Sequence, residues 1–147
     1  MNYARWFSRV VWLGIAVNVL FFVIPACFFP VELLSFLQMQ IPVPIIWVRT
    51  AGMLLFIISA FYVPGAIDPW RYRLSAWLSV FPSRAFGASF FIVSVLWFGQ
   101  DLGFLSIALV DLFFGVVEGV LLMLVVRGES NEPQRREGRE GKGYESF

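Results

Sequence analysis

Residues 102–126 form the stretch of the sequence that most limits how the chain can fold. The run is almost entirely apolar, and a helix of about 25 residues, rising about 1.5 Å per residue, is long enough to cross a hydrocarbon layer of about 30 Å. Two acids interrupt it, Asp111 and Glu118, and their spacing of two helical turns places both on one face. A carboxylate inside a membrane span costs roughly 2.5–3.5 kcal/mol even on lenient insertion scales, so each acid requires a partner or a function.

The remainder of the chain belongs to the same class. Hydrophobic residues make up 59% of its 147 residues and charged residues only 14%, whereas charged residues make up about a quarter of a typical soluble domain. The apolar residues also cluster into runs of membrane-spanning length. The sequence therefore predicts an all-α fold, an integral membrane four-helix bundle, whose spans lie at about 6–24, 44–63, 74–98 and 102–126.

Three segments outside or within these spans carry further predictions. Pro30–Gln40 is too short to span and has leucines at helical spacing, which predicts a short interfacial helix after the first span. Pro82 interrupts the third span and predicts either a kink or a split. Residues 128–147 are polar and lack periodicity, so we expect a disordered C-terminal tail after a transmembrane domain formed by residues 1–127.

The basic residues predict an orientation. They precede the first span, separate the second from the third and follow the fourth, whereas residues 26–47 and 99–103 contain neither Lys nor Arg. Lys and Arg concentrate in short cytoplasmic loops. We therefore expect a multi-pass protein of the cytoplasmic (inner) membrane with both termini in the cytoplasm, and the lipid bilayer as its main partner.

The composition also excludes classes of function. The formal net charge is +1, histidine is absent and Cys27 is the single cysteine. A net charge so close to zero argues against nucleic-acid binding. The lack of histidine removes the commonest general base and metal ligand, and one cysteine cannot form an internal disulfide or a CxxC pair. We expect no metal site, no cofactor and no enzymatic activity.

Five polar residues inside the spans form the candidate site. Counting from the helix ends puts Arg49 about 7 Å and Asp111 about 13 Å from the outer surface, and Arg84 about 15 Å and Glu118 about 12 Å from the inner surface. These depths predict an outer pair Arg49–Asp111 and an inner pair Arg84–Glu118, while Asn18 lies near the middle of the first span. The pairs are either structural clamps or the polar side of a cavity that binds an anionic or quinone-like ligand or relays protons.

Two glycines on the fourth span raise a separate question. Gly115 and Gly119 have the GxxxG spacing and bracket Glu118. Small residues at this spacing let two helix backbones approach closely. The pattern is consistent with packing inside the bundle and with a homodimer.

Several short motifs together resemble a known family. They are an R-x-x-G motif in each of the second and third spans, the turn Ala66–Arg73, and the D-L-F-F-G sequence Asp111–Gly115. This order is similar to that of DoxX-like small four-helix membrane proteins of bacteria, over roughly residues 49–126. The resemblance implies a four-span helical bundle in a bacterial cytoplasmic membrane. The wider group includes a membrane subunit of a thiosulfate:quinone oxidoreductase.

Three functional hypotheses follow. The first is a non-enzymatic accessory or small-molecule-binding bundle built on intramembrane arginine–acid pairs. The second is a small proton-coupled transporter, which with so few helices would act as a dimer. The third is a membrane subunit of a quinone-linked oxidoreductase, which would take its redox centres from a partner chain in a larger membrane complex.

Overall fold

The structure, a computed structural model, describes the backbone of residues 3–141 and the side chains of residues 3–128. Every regular element among these residues is helical, which confirms the all-α class. Four helical segments are long and apolar enough to cross a membrane, as the sequence predicts, and this suggests a multi-pass membrane protein. They are Tyr3–Phe28, Ile46–Ile67, Arg73–Phe98 and Gly103–Gly128.

The first segment is longer than predicted and contains a local change of helix type. Helix α1 (Tyr3–Asn18) leads into a π-helical turn (Val19–Val23) and then into α2 (Ile24–Phe28). The predicted first span stops at residue 24, just before Pro25, because proline lacks the N–H that an α-helix needs and its ring clashes with a carbonyl of the preceding turn. The wider π turn lies just before the proline, and such turns accommodate a break in the α-helical hydrogen bonds.

Helix α3 (Pro30–Phe36) follows and ends earlier than the predicted 30–40. Gln38 adopts a left-handed conformation with φ 55°. The next residue, Met39, donates its N–H to the carbonyl of Leu34 at 2.9 Å. A left-handed residue with a hydrogen bond back to the last turn is a common way for a helix to end.

Helix α4 (Ile46–Ile67) continues past Pro64, whereas the predicted second span stops at residue 63, just before this proline. The hydroxyl group of Ser75, on the next helix, explains how. It accepts a hydrogen bond from the N–H of Gly65 (3.0 Å) and donates one to the carbonyl of Phe61. These two groups would pair directly in an uninterrupted helix, so Ser75 bridges the gap that the proline opens.

A polar turn then reverses the chain. The side chain of Asp68 accepts hydrogen bonds from two backbone N–H groups of the turn, at 3.0 and 3.1 Å. Helix α5 (Arg73–Val80) returns against α4. The approach is so close that a Cβ atom on Gly65 would lie 2.5 Å from the backbone nitrogen of Ala76. Only glycine permits this contact.

Pro82 splits the third segment into α5 and α6 (Ser83–Phe98). Phe81 is extended, with φ −134° and ψ 127°, as expected for a residue that precedes proline. Of the two alternatives in the sequence, the split is the one observed. Helix α6 ends at Gly99, which adopts the left-handed conformation with φ 60° that glycine accepts readily.

Helix α7 (Gly103–Gly141) starts after a short turn and extends beyond the predicted fourth span. The backbone of residues 128–141 is helical, and the disorder of the tail 128–147 stays a prediction. A helix that has already formed propagates at little cost per added residue, and Glu, Gln and Arg in this segment are good helix formers. Residues 142–147 lie outside the described residues.

The helices pack in an order that leaves one gap. Helix α7 packs against α1, α5 and α6, and α4 packs against α1, α2 and α5, but no comparable packing joins α4 to α6 among the described residues. One cluster of buried apolar side chains lies where α1 begins and α4 ends, and further buried apolar residues, among them Ala26 and Leu34, lie toward the opposite end. The buried members of the cluster are Phe7, Val11, Tyr62, Ala66, Ala76, Leu122 and Val125.

Candidate functional site

A single arginine lies between the two acids of α7. The Nη1 atom of Arg84 is 3.1 Å from Oδ1 of Asp111, and its Nη2 atom is 3.3 Å from Oε1 of Glu118. The side chains of Arg84 and Glu118 are 1% and 0% exposed, and that of Asp111 is 21% exposed. We call these three residues the ion cluster. Two acids two turns apart on one helix are thus bridged by one guanidinium group at the start of α6.

Of the two predicted ion pairs, one is present and the other is not. The Arg84–Glu118 pair is confirmed. The Arg49–Asp111 pair is wrong, because Asp111 pairs with Arg84 and no ion pair involves Arg49 among the described residues. Arg49 is exposed. Depth counting compares positions along the membrane normal only, and α4 turns Arg49 away from α7 although its depth would permit the contact.

Glycines on three helices make room for the ion cluster. A Cβ atom on Gly14 of α1 would lie 2.5 Å from Nη2 of Arg84 and 3.1 Å from Oε1 of Glu118. A Cβ atom on Gly87 of α6 would lie 3.2 Å from Oδ2 of Asp111. Gly14 is not among the predicted site residues, because its only sequence signal is a small residue in an apolar span.

The GxxxG pair of α7 contributes to the same packing. A Cβ atom on Gly115 would lie 3.3 Å from Cβ of Arg84, and one on Gly119 would lie 3.2 Å from Cγ1 of Val80. Both glycines therefore face α5 and α6 of their own chain. Of the two readings of this motif, packing within the chain is the one that the contacts support.

Several polar atoms of the ion cluster have no hydrogen-bond partner within the cluster. The Nε and Nη2 atoms of Arg84 and both carboxylate oxygens of Glu118 are buried and have no hydrogen-bond partner of good geometry. Two aromatic rings face the guanidinium instead, Phe114 at 4.9 Å and Tyr62 at 5.9 Å from their centroids to Cζ. Such cation–π contacts offset part of the cost of burying the charge. With all groups ionised, one cation and two anions leave an excess of one negative charge.

A cavity of about 870 Å³ adjoins the ion cluster in the gap between α4 and α6. Most of the side chains around it are apolar or aromatic. At one end it reaches Arg84, with Asp111 and Asn18 also in its lining. At the other end lie Gln40 and Asp101, where the N–H of Gln40 donates a hydrogen bond of 2.7 Å to the Asp101 carboxylate.

This cavity has an open side. Leu54 and Ile58 of α4 line it, yet 54% and 40% of their surfaces are exposed. Phe91 of α6 lines the facing wall and is only partly buried. The apolar surfaces of α4 and α6 thus form part of the accessible border of the cavity, together with the exposed residues Gln40, Trp47 and Gln100 at its other end.

The candidate residues divide into three groups. Asn18, Arg84 and Asp111 line the cavity, Glu118 lies behind Arg84, and Arg49 takes no part. The cavity itself could not be expected from any single span, because it results from the distance between α4 and α6.

Comparisons of the chain with protein-family models, curated proteins and solved structures give no match.

Proposed function

We propose that this protein is a DoxX-like, four-helix bundle of a bacterial cytoplasmic membrane that binds a small amphipathic molecule without transforming it. The observation that carries the proposal is the cavity between α4 and α6, which has mainly apolar walls and a buried arginine at one end. Its volume of about 870 Å³ lies within the range of small-molecule sites, which is roughly 300–1,000 Å³. Such sites combine apolar walls with a few polar groups that orient the ligand.

A purely structural role explains the ion cluster less well. A clamp that only neutralises charge should be closed and balanced, because every unpaired buried charge lowers stability. Here the cluster has more acids than bases, and Asp111 is partly exposed and belongs to the cavity lining. A ligand that contacts Asp111 would explain why this carboxylate is exposed to the cavity.

The binding role is tested by filling the cavity. Ala51 lines the cavity on α4, whereas Ala60 lies on the same helix, is exposed and does not line it. We expect Ala51→Phe to weaken binding of the neutral probe decanol to the purified protein about tenfold or more, as steric loss of a site does. Ala60→Phe should bind decanol like the wild type.

Equilibrium dialysis against dodecyl maltoside micelles measures this binding, with protein-free micelles as the reference. Equal decanol binding by the wild type and both variants would contradict a site in the cavity. Binding no greater than to empty micelles would contradict the proposed function itself.

The proposed orientation places both termini in the cytoplasm and α3 along the outer membrane surface. Helix α3 buries Leu34 and exposes Glu32 and Ser35, which fits a helix with one apolar and one polar side. Reporters fused after Gln40 and after Gln100 should read periplasmic, and a reporter after residue 73 should read cytoplasmic. A cytoplasmic signal after Gln100 is incompatible with four crossings.

A second candidate function is proton-coupled transport. The observation that favours it is that two carboxylates share one guanidinium, one at the cavity and one behind the arginine. A buried carboxylate without a full set of partners becomes neutral by binding a proton, which a relay requires. In proteoliposomes, an imposed pH gradient should then drive uptake of a probe that binds the cavity, and Glu118→Gln should abolish the uptake while binding persists. Binding without any gradient-driven uptake would exclude this candidate.

A further inference from the structure

The charges around the cavity are unequal in number. Arg84 is the only basic residue in its lining, whereas Asp101 and Asp111 both belong to it. Glu118 adds a further acid in contact with the same arginine, at 3.3 Å. The acids around this space therefore outnumber the bases among the described residues, and an anionic ligand would increase the imbalance.

The side chain of Arg84 is only 1% exposed, so little of it is accessible to an anion in the cavity, although its Nε has no hydrogen-bond partner. Its two terminal nitrogens already face the acids of α7, at 3.1 and 3.3 Å, and its Cζ lies 4.9 Å from the ring of Phe114. Asp111, in contrast, is 21% exposed and uses only Oδ1 in its ion pair. The group of the ion cluster that is accessible from the cavity is thus a carboxylate.

Aromatic side chains line the same space. Trp47, Tyr62, Phe91 and Phe104 come from three different helices, and the rings of Phe91 and Phe104 stack with their centroids 5.4 Å apart. Aromatic faces attract cations, and these rings are distributed along the cavity, since Trp47 and Tyr62 are about 22 Å apart along α4. The same rings also provide apolar contact area for a hydrocarbon body.

From these observations we propose that the ligand of the cavity is a lipophilic cation, with an ammonium group near Asp111 and an apolar body between α4 and α6. This inference rests on the proposed binding function and specifies its ligand class. It differs from the anionic or quinone-like ligand that the sequence suggested, because the arginine that would bind an anion is already occupied by two acids.

The experiment compares three probes with the same decyl chain and different head groups, namely decyltrimethylammonium, decanol and decyl sulfate. Dialysis against dodecyl maltoside micelles again measures binding to the full chain relative to empty micelles. We expect the ammonium probe to bind about tenfold more tightly than decanol, since one carboxylate near the head group contributes attraction that desolvation only partly cancels. Decyl sulfate should bind most weakly.

Variants then locate the charge that is responsible. Asp111→Asn should reduce the preference for the ammonium probe over decanol about tenfold, because it removes the carboxylate that attracts the head group. Glu32→Gln removes an exposed acid of α3 that does not line the cavity, and it should leave all three affinities unchanged. The head-group preference of the wild type needs no variant, so the inference stays testable if Asp111→Asn does not fold.

The possible outcomes distinguish the inferred ligand class from the proposed binding function. If decanol or decyl sulfate binds the wild type as tightly as the ammonium probe, the inference of a cationic ligand is overturned while the binding function stands. An ammonium preference that survives in Asp111→Asn would also overturn it. If none of the three probes binds beyond empty micelles, the proposed binding function fails as well.

Discussion

Removal of the shared arginine is the sharpest test of the ion cluster. Arg84→Gln leaves two carboxylates without their cation, and these differ in burial, since the side chain of Glu118 is 0% exposed and that of Asp111 is 21% exposed. Removing one partner of a buried ion pair typically costs about 3–5 kcal/mol, because the remaining charge is left uncompensated. We expect Arg84→Gln to lower the free energy of unfolding by this amount. Glu118 should account for most of the loss, because Asp111 can be solvated from the cavity.

Second-site variants test this division. Replacing the buried acid in Arg84→Gln/Glu118→Gln should recover most of the lost stability, whereas Arg84→Gln/Asp111→Asn should recover less. Arg49→Gln is the matched control, because Arg49 also begins an R-x-x-G motif but is exposed and makes no ion pair among the described residues. Arg49→Gln should change the free energy of unfolding by no more than about 0.5 kcal/mol.

The free energy of unfolding is measured by titration with dodecyl sulfate in mixed micelles, with tryptophan fluorescence as the signal. If Arg84→Gln/Glu118→Gln unfolds as readily as Arg84→Gln, the buried carboxylate is not the source of the loss and the reasoning is wrong. A loss in Arg49→Gln as large as that in Arg84→Gln would also refute it, because any arginine in a span would then have the same effect.

Two further predictions concern helix packing and use the same assay. Gly14→Ala should lower the free energy of unfolding by about 1–3 kcal/mol, because the new Cβ forces the guanidinium of the ion cluster out of place. Gly128→Ala is the control and should cause no loss, since no atom lies within 4 Å of its new Cβ. Equal losses in the two variants would contradict this account. Ser75→Ala should cost about 1–3 kcal/mol, because it leaves the buried N–H of Gly65 and its opposing carbonyl unpaired. Ser106→Ala, at an exposed serine of α7, should stay within about 0.5 kcal/mol of the wild type, and a comparable loss there would show that the bridge is not the cause.

The sequence predicted the spans well because their signal is local. An apolar run of sufficient length is visible in the residues themselves, and the pairing of Arg84 with Glu118 followed from their similar depth. The partner of Asp111 was predicted wrongly because depth says nothing about rotation around a helix axis. The choice between Arg49 and Arg84 depends on which face of each helix turns toward α7, and this is decided by packing across the whole molecule.

The ends of the helices show a related limit. Pro25 and Pro64 are strong local signals for helix termination, yet both helices continue past them. At Pro64 the continuation depends on the hydroxyl group of Ser75, which is distant enough in sequence that no local pattern connects the two. The cavity could not be predicted for the same reason, since it results from the missing contact between α4 and α6.

The open side of this cavity determines how a ligand would reach it. Leu54 and Ile58 of α4 line the cavity and are exposed, so in the proposed membrane setting a ligand has a route from the hydrocarbon phase. Occupancy then depends on the mole fraction of the ligand in the lipid. A lipophilic molecule that is scarce in water but concentrated in the bilayer could fill such a site even when its affinity for the protein is modest.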